Sequence, residues 1–417
     1  MDAKHNQPHV NGTRLWESLM EMAEIGATPK GGVCRLTLTD LDKVSRDLFC
    51  AWCREEGLDI RVDQVGNIFA RREGTDPQRK AVSTGSHLDT QPTGGKFDGA
   101  YGVLAGLEVI RTLNEQNIST QAPIEVIVWT NEEGSRFSPA MMGSGVFGGA
   151  FDLQDILNKT DQDNKRFGDE LARIGYDGPE DVTKHEMEAY FEAHIEQGPI
   201  LEAAGLPIGI VKGAQGQRWY EINITGMEAH AGPTPMNVRK DALVGAAGVI
   251  QEVNRIGHAF QPNACATCGV IESHPNSRNV IPGHVFLTVD FRHPDDDRLT
   301  EMDAALKAFC KTWAEETQLE INVKDFWYFP PTPFDKKLVQ SVKNAAEHFQ
   351  YAHQDIISGA GHDAVYVSNK VPTAMIFTPC EGGISHNEIE NADPKDLEEG
   401  CNVLLHAMLE TAGRNSS

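Results

Sequence analysis

The stretch Pro123–Gly134 (PIEVIVWTNEEG) decides the predicted fold, because an apolar, β-branched run leads directly into a group of polar side chains. Such a run is typical of a strand that is buried on both faces of a parallel sheet. Upstream, Ala81–Gly85 predicts a second strand, and Gly102–Leu113 predicts an apolar helix between the two. This strand–helix–strand order predicts a right-handed crossover. We therefore expect an α/β fold with a mixed, mainly parallel sheet flanked by helices.

The middle of the chain changes to an alternating pattern. Arg218–Thr225 (RWYEINIT) alternates polar and apolar residues, as half-buried strands do. The elements predicted after it are helix Asp241–Arg255, strands Ala266–Ser273 and Gly283–Arg292, helix Leu299–Trp313 and strand Leu319–Trp327. The resulting β-α-β-β-α-β order is the pattern of a ferredoxin-like unit. It predicts a smaller α+β domain inserted into the α/β domain.

The α/β pattern returns after Pro330–Pro333, with a helix at Lys336–Phe349, a strand at Ala374–Phe377 and a last helix opening at Asp393. A chain of 417 residues is long enough for two domains. We expect a catalytic, metal-binding domain formed by residues 1–213 and 330–417. The inserted domain would comprise residues 214–329.

The charge of the chain narrows the possible partners. A net charge of −24 argues against nucleic acid and anionic membrane surfaces as partners. No window approaches the roughly 20 apolar residues of a membrane span. The first residues, Met1–His5, contain no apolar segment of the kind found in secretory signals. We therefore expect a cytoplasmic protein.

Imidazoles and carboxylates follow the predicted strands of the α/β domain. His87 and Asp89 come after one strand, and Glu132 and Glu133 come after the next. Functional loops of such sheets lie at the carboxyl ends of parallel strands, so these groups are expected to meet at one edge. The further candidates are Asp98 before a helix, His194 at the end of a strand-like run and His386 in a glycine-rich loop.

These residue types suit a hydrolytic site with two divalent metal ions. Imidazole and carboxylate are ligands of zinc, and manganese, cobalt and nickel accept them too. We expect Asp98 to bridge two zinc ions and Glu132 to act as the general base, with Asp89 orienting the imidazole of His87. His87, Glu133, His194 and His386 would complete the two ligand sets. Taken singly, a Glu-Glu pair is usually a solvated surface feature.

Longer motifs resemble a known family. The motifs are SHLDT (86–90), GKFDG (95–99), TNEEG (130–134), EAHIEQG (192–198), FSPAMMGS (137–144) and GAGHDA (359–364). Together they resemble the zinc-dependent aminoacylase/carboxypeptidase superfamily. The last two motifs are similar to its amidase/hydantoinase/carbamoylase branch, which contains N-carbamoyl-L-amino-acid hydrolases, β-ureidopropionases and allantoate amidohydrolases.

This resemblance implies the same five metal ligands, with Glu132 as base, and a homodimer built through the inserted domain. It implies that His230 stabilises the oxyanion in a neighbouring subunit's site. Gln197, Asn279 and Arg292 would contact the substrate, with Arg292 holding its carboxylate. Without the resemblance, His230 would be read as an ordinary strand-end residue and Arg292 as part of a surface ion pair.

The activity implied is hydrolysis of the linear amide or ureido C–N bond of N-carbamoyl amino acids, which releases the amino acid, CO₂ and ammonia. Allantoate hydrolysis is the nearest alternative. A dipeptidase or an aminoacylase is more remote. A relative that binds metal without catalysis is also conceivable, although all five ligands and Glu132 are present.

Overall fold

Two compact units make up the chain in the computed structural model, which describes residues 8–414. The first unit comprises the residues up to Gly213 together with those from Pro333 onwards. The second unit comprises Ala214–Thr332. Each unit has its own cluster of buried apolar side chains.

A nine-stranded sheet forms the centre of the first unit. Its strands are β1 (Asp59–Val62), β2 (Ile68–Arg72), β3 (Ala81–His87), β4 (Ile124–Trp129), β5 (Met187–Ile195), β6 (Ile208–Ala214), β14 (Thr332–Pro333), β15 (His353–Ser358) and β16 (Thr373–Thr378). The order is β1-β2-β4-β3-β5-β16-β6-β14, and β15 also pairs with β6. The central strands β4, β3, β5 and β16 run parallel to one another. The outer pairings are antiparallel: β1 pairs with β2, β2 with β4, and β6 with β16. The predicted mixed, mainly parallel sheet is confirmed.

Helices flank this sheet. They are α1 (Gly12–Glu24), α2 (Asp40–Glu55), α3 (Ala100–Glu115), α4 (Met142–Phe147), α5 (Leu153–Leu157), α6 (Phe167–Ile174), α7 (Ile200–Ala204), α10 (Lys336–His348), α11 (Asp363–Val367) and α12 (Pro394–Ala412). Helix α3 is buried from its first residue to Leu113, which explains why its sequence is mostly apolar. Side-chain oxygens cap α2 at Thr39 and α12 at Asp393, where the sequence predicted helix starts.

The second unit is an antiparallel sheet with two long helices. Its elements are β7 (Gly216–Thr225), β8 (Ala229–His230), α8 (Ala242–Ala259), β9 (Cys265–Thr267), β10 (Ile271–His274), β11 (Val280–Ile281), β12 (His284–His293), α9 (Asp296–Thr317) and β13 (Glu320–Phe329). The strand order β10-β12-β7-β13, with β9 beside β12, is the arrangement of a ferredoxin-like unit. Buried and partly exposed residues alternate along β12, so one face of the sheet packs against the helices.

One predicted strand is divided in the structure. The segment Ala266–Ser273 was expected to be continuous, but β9 and β10 pair separately with β12. Thr267 pairs with Asp290 and Ile271 with Leu287, so three residues of the divided segment face two of β12. The extra residue interrupts the ladder, as in a β-bulge.

Within residues 8–414, no helix has both the length and the apolar character needed to cross a bilayer.

Candidate metal centre

The carboxyl ends of the parallel strands bring the predicted ligands together. His87 is the last residue of β3 and pairs in register with Trp129 near the end of β4. His194 lies next to the end of β5 and pairs with Phe377 of β16. The four strands therefore end at one edge of the sheet, and the loops that follow β4 and β16 start there.

Asp98 lies at the centre of this group. Its Oδ1 is 3.2 Å from Nε2 of His194 and 3.7 Å from Nε2 of His87. Its Oδ2 is 3.3 Å from Nε2 of His386, and that nitrogen is 3.5 Å from Oε2 of Glu133. The two oxygens of one carboxylate thus face two separate sets of donors.

These donors form two groups that could each hold a cation. One group is His87, Asp98 and His194, and the other is Asp98, Glu133 and His386. Within each group the donor atoms lie within 4.8 Å of one another. Nitrogen and oxygen donors with a shared carboxylate fit a pair of borderline divalent metals. The residues present therefore fit the metals that the sequence predicts.

Backbone carbonyls orient two of the imidazoles. Nδ1 of His87 is 2.8 Å from the carbonyl oxygen of Asp89, and Nδ1 of His194 is 2.9 Å from that of Ile195. With Nδ1–H donating to these oxygens, Nε2 of each ring is directed at Asp98. An Nε2 that carries no proton can then bind a cation.

Asp89 was expected to orient His87. It contacts Nδ1 of that ring through its carbonyl oxygen at 2.8 Å, whereas its carboxylate Oδ1 is 3.9 Å away. Instead, the Asp89 carboxylate accepts hydrogen bonds of 3.3 Å from the backbone N–H groups of Glu132 and Glu133. The turn after β4 leaves these two amides without strand partners, so a buried acceptor is needed there.

Gly99 allows Asp98 to approach the ring of His87. Its φ is +65°, in the left-handed region that favours glycine. A Cβ at this position would lie 2.4 Å from the imidazole of His87. The Asp-Gly pair at the start of α3 is therefore a packing requirement of the centre.

The charges of the centre shift several pKa values. Burial lowers the pKa of His87 to about 4, although Asp98 acts in the opposite direction. Burial also disfavours the charged form of His194, but the hydrogen bond to Asp98 and the charge of Asp98 outweigh it and raise the pKa of His194 to about 9. Despite its burial, Asp98 has a pKa well below its usual value because of the neighbouring histidines.

Glu132 lies beside these donors without joining either group. Its Oε2 is 3.4 Å from Nε2 of His87, and 9% of the residue is exposed. Burial raises its pKa well above the usual value, and the charges of Asp363 and Glu133 act in the same direction. A carboxyl group with a raised pKa is suited to accepting a proton.

The remaining predicted residues lie in two places. In the first unit, Nε2 of Gln197 donates to Oδ2 of Asp98 at 3.0 Å. In the second unit, Asn279 lies next to His230, because its carbonyl accepts from the N–H of Ala231 at 2.8 Å. The Gln197 residue is partly buried, whereas Asn279 is exposed.

Arg292, on β12, forms an ion pair with Asp290, with 2.9 Å between its Nη2 and Oδ2. The two residues are two positions apart on the same strand, so their side chains share one face of the sheet. The sequence did not indicate Asp290 as the ion-pair partner of Arg292.

Two buried residues beside His194 were not predicted as site residues. Glu192 and His362 form a third cluster of possible ligands with it. The ring of His362 lies 4.5 Å from that of His194, and Glu192 accepts a 2.8 Å hydrogen bond from Ser86. The sequence did contain a signal for both residues. Polar residues occur at every second position at the end of β5, and His362 lies in the motif GAGHDA.

Comparison with known proteins identifies the family. A profile of peptidase family M20/M25/M40 matches residues 84–410. An N-carbamoyl-L-amino-acid amidohydrolase of Rhizobium meliloti is 49% identical, with 99% of each chain covered. The allantoate amidohydrolase of Escherichia coli strain K12 is 33% identical, with 95% of this chain and 97% of that protein covered.

Among solved structures, an amidase of the hydantoinase/carbamoylase family from Burkholderia multivorans is 59% identical and superposes with a TM-score of 0.95. The match covers 97% of this chain and 98% of that one. The family indicated by the sequence motifs is confirmed: this chain belongs to peptidase family M20/M25/M40 and, within it, to the hydantoinase/carbamoylase amidases.

Proposed function

We propose that this protein hydrolyses the ureido C–N bond of N-carbamoyl-L-amino acids and releases the amino acid, CO₂ and ammonia. The observation that carries the proposal is the position of Asp98, whose two oxygens face two donor groups next to the carboxyl of Glu132. The substrate class is supported by the 49% identical relative from Rhizobium meliloti, which is named for this activity.

The proposed cofactors are two divalent ions held by His87, Asp98, Glu133, His194 and His386, with zinc as the first candidate and manganese, cobalt or nickel as alternatives. When bound, such ions polarise a carbonyl group and lower the pKa of water. Glu132 would take a proton from the attacking water and pass it to the leaving nitrogen. The Glu132 carboxyl lies beside His87 and outside both ligand groups, which supports this acceptor role.

The substrate contacts belong to the same proposal. His230 would donate a hydrogen bond to the oxyanion of the tetrahedral intermediate. Its Nδ1 accepts from the N–H of Gly232 at 3.1 Å, which leaves the proton of the neutral ring on Nε2 as a donor. Gln197 and Asn279 would supply further polar contacts, and Arg292 would bind the substrate carboxylate. We also propose a homodimer, formed through the second unit, in which His230 serves the partner's site.

A substrate panel tests the proposal directly. Purified protein with defined metal content is assayed on N-carbamoyl-L-alanine, its D-enantiomer, N-carbamoyl-β-alanine, allantoate and a dipeptide. We expect the highest kcat/KM on N-carbamoyl-L-alanine, with Glu132→Gln as the inactive control. Stoichiometric metal without hydrolysis of any compound would contradict the proposal and favour a metal-binding relative without catalysis.

Allantoate hydrolysis is the second candidate. It is supported by the 33% identical relative from Escherichia coli, which is named for that activity, and the lower identity places it behind the first candidate. A kcat/KM for allantoate above those of all the N-carbamoyl compounds would replace the first proposal by this one.

A further inference from the structure

Glu390 is a buried carboxylate that joins two distant segments carrying candidate ligands. Only 3% of the residue is exposed. Its Oε1 accepts hydrogen bonds from the backbone N–H groups of Phe97 at 3.0 Å and Asp98 at 3.2 Å. Its Oε2 accepts a 2.7 Å hydrogen bond from the hydroxyl of Ser385, which directly precedes His386. One side chain therefore contacts the backbone at Asp98 and the loop that carries His386.

Additional contacts show how closely this carboxylate is fitted. The hydroxyl of Ser385 also lies 3.3 Å from Oδ2 of Asp98, on the side of that carboxylate that faces His386. A Cβ at Gly95 would lie 2.1 Å from the carboxyl carbon of Glu390, so a side chain there would displace it. Glu390 itself belongs to neither of the two ligand groups.

The two ligand groups differ in how their histidines are held. His87 and His194 are each fixed through Nδ1 by a backbone carbonyl. The side chain of His386 is 53% exposed, its backbone φ is +53°, and no residue from 8 to 414 forms a hydrogen bond with its Nδ1. The position of His386 therefore depends on its loop. The bond from Ser385 to Glu390 ties that loop to the backbone at Asp98, alongside Gln197, whose Nε2 donates to both Ser385 at 3.1 Å and Asp98 at 3.0 Å.

We propose that Glu390 is a positioning residue for the ligand group Asp98, Glu133 and His386, and that the group His87, Asp98 and His194 depends on it much less. The inference rests on the proposed pair of cations. It predicts unequal damage to the two sites when Glu390 is changed, whereas a purely structural role would weaken both sites together.

Metal binding is the readout. Metal-free wild type, Glu390→Ala and Glu390→Gln are titrated with Zn²⁺ by calorimetry and with Co²⁺ by absorption spectroscopy. We expect two ions in the wild type. In Glu390→Ala one site should weaken by roughly 10- to 100-fold while the other keeps its affinity. Glu390→Gln should be intermediate, because an amide oxygen can still accept from the two backbone amides.

Glu381→Gln is the matched control. Glu381 lies in the same loop, is exposed, and its side chain bonds to that of Asn391. It should bind both ions like the wild type. If Glu390→Ala does not fold, Ser385→Ala removes only a hydroxyl from the tie and should weaken the same single site.

Each outcome decides a specific point. Two unchanged sites in Glu390→Ala, or equal weakening of both, would overturn the role of Glu390 while leaving the proposed pair of cations intact. A wild type that binds fewer than two ions would overturn the pair itself, and the inference with it. Loss of one site alone in the Glu390 variants, with Glu381→Gln unchanged, would support both.

Discussion

At the scale of single residues, the adjacent carboxylates of Glu132 and Glu133 have different surroundings. Glu133 faces His386 and accepts hydrogen bonds from the backbone and side chain of Gln91. Glu132 faces His87 and belongs to neither ligand group. Successive residues in a turn point in different directions, so one carboxylate can bind a cation while its neighbour remains available for proton transfer.

This difference predicts that two conservative substitutions both reduce activity but differ in their effect on bound metal. Glu132→Gln should lower kcat by about 10²- to 10⁴-fold, because a general base is lost, while both metal ions remain bound. Steady-state kinetics together with metal analysis of the purified variant would check this. Unchanged turnover would show that another group accepts the proton.

Glu133→Gln is the matched variant for that experiment. It removes a charged ligand from one donor group, so metal content should fall together with activity. A Glu133→Gln protein that keeps both ions, combined with a Glu132→Gln protein that loses one, would mean that the two roles are exchanged.

At the scale of secondary-structure elements, the turn between β3 and α3 depends on one glycine. Gly99 has φ +65°, and a Cβ there would lie 2.4 Å from the ring of His87. Gly149 has a similar φ of +75° but no atoms within 4 Å of the corresponding Cβ. Alanine substitutions at the two positions therefore separate the cost of the left-handed backbone from the cost of a steric clash with His87.

Gly149→Ala should cost about 1–2 kcal/mol of stability, the usual penalty for a left-handed residue with a side chain. Gly99→Ala should cost more and should also weaken metal binding, because the ring of His87 must move. Chemical denaturation and zinc titration of both variants would measure the two effects. Equal stability loss with unchanged metal affinity would show that the contact with His87 is relaxed without consequence.

The strand ends could be predicted from the sequence, and they located the candidate centre. The apolar run before Glu132 predicts a buried parallel strand, and shorter strand-like runs lead into His87 and His194. The carboxyl ends of parallel strands meet at one edge. These signals are local. The break between β9 and β10 was missed because its cause is the register against β12, which a local pattern does not contain.

Contacts between distant segments could not be predicted from the sequence either. The bond between Glu390 and the backbone of Phe97 joins residues 293 positions apart. The sequence could not show that Asp89 contacts His87 through its backbone, since a carbonyl oxygen is the same in every residue type. Side-chain chemistry can be read from a sequence, whereas backbone acceptors and pairings across the fold need coordinates.

At the scale of the whole molecule, the candidate ligands come from distant parts of the first unit only. They lie between His87 and His386, whereas the second unit has its own apolar core and contributes none of them. A ligand that binds only the folded state stabilises it by about 2.7 kcal/mol at a concentration 100-fold above its dissociation constant. Bound metal should therefore stabilise the first unit selectively.

Removal of metal with a chelator should accordingly increase hydrogen exchange at the ends of β3 and β5, while α8 and α9 change little. Hydrogen-exchange mass spectrometry of the metal-free and zinc-loaded protein would measure this, with readdition of zinc as the control. Equal deprotection of both units would indicate that the metal stabilises the molecule as a single cooperative block.

The same centre couples metal binding to pH. In the metal-free protein, Asp98 raises the pKa of His194 to about 9 against the effect of burial, and its hydrogen bond also raises that of His386. These protons must leave before the nitrogens can bind cations, so affinity should rise from pH 6 towards pH 9 and then level off. His87, whose pKa is lowered to about 4, is already neutral across this range.

Calorimetry in buffers of different ionisation enthalpy would count the protons released, and their number should decrease as the pH rises. Metal affinity independent of pH, with no proton release, would mean that His194 is neutral before the metal binds.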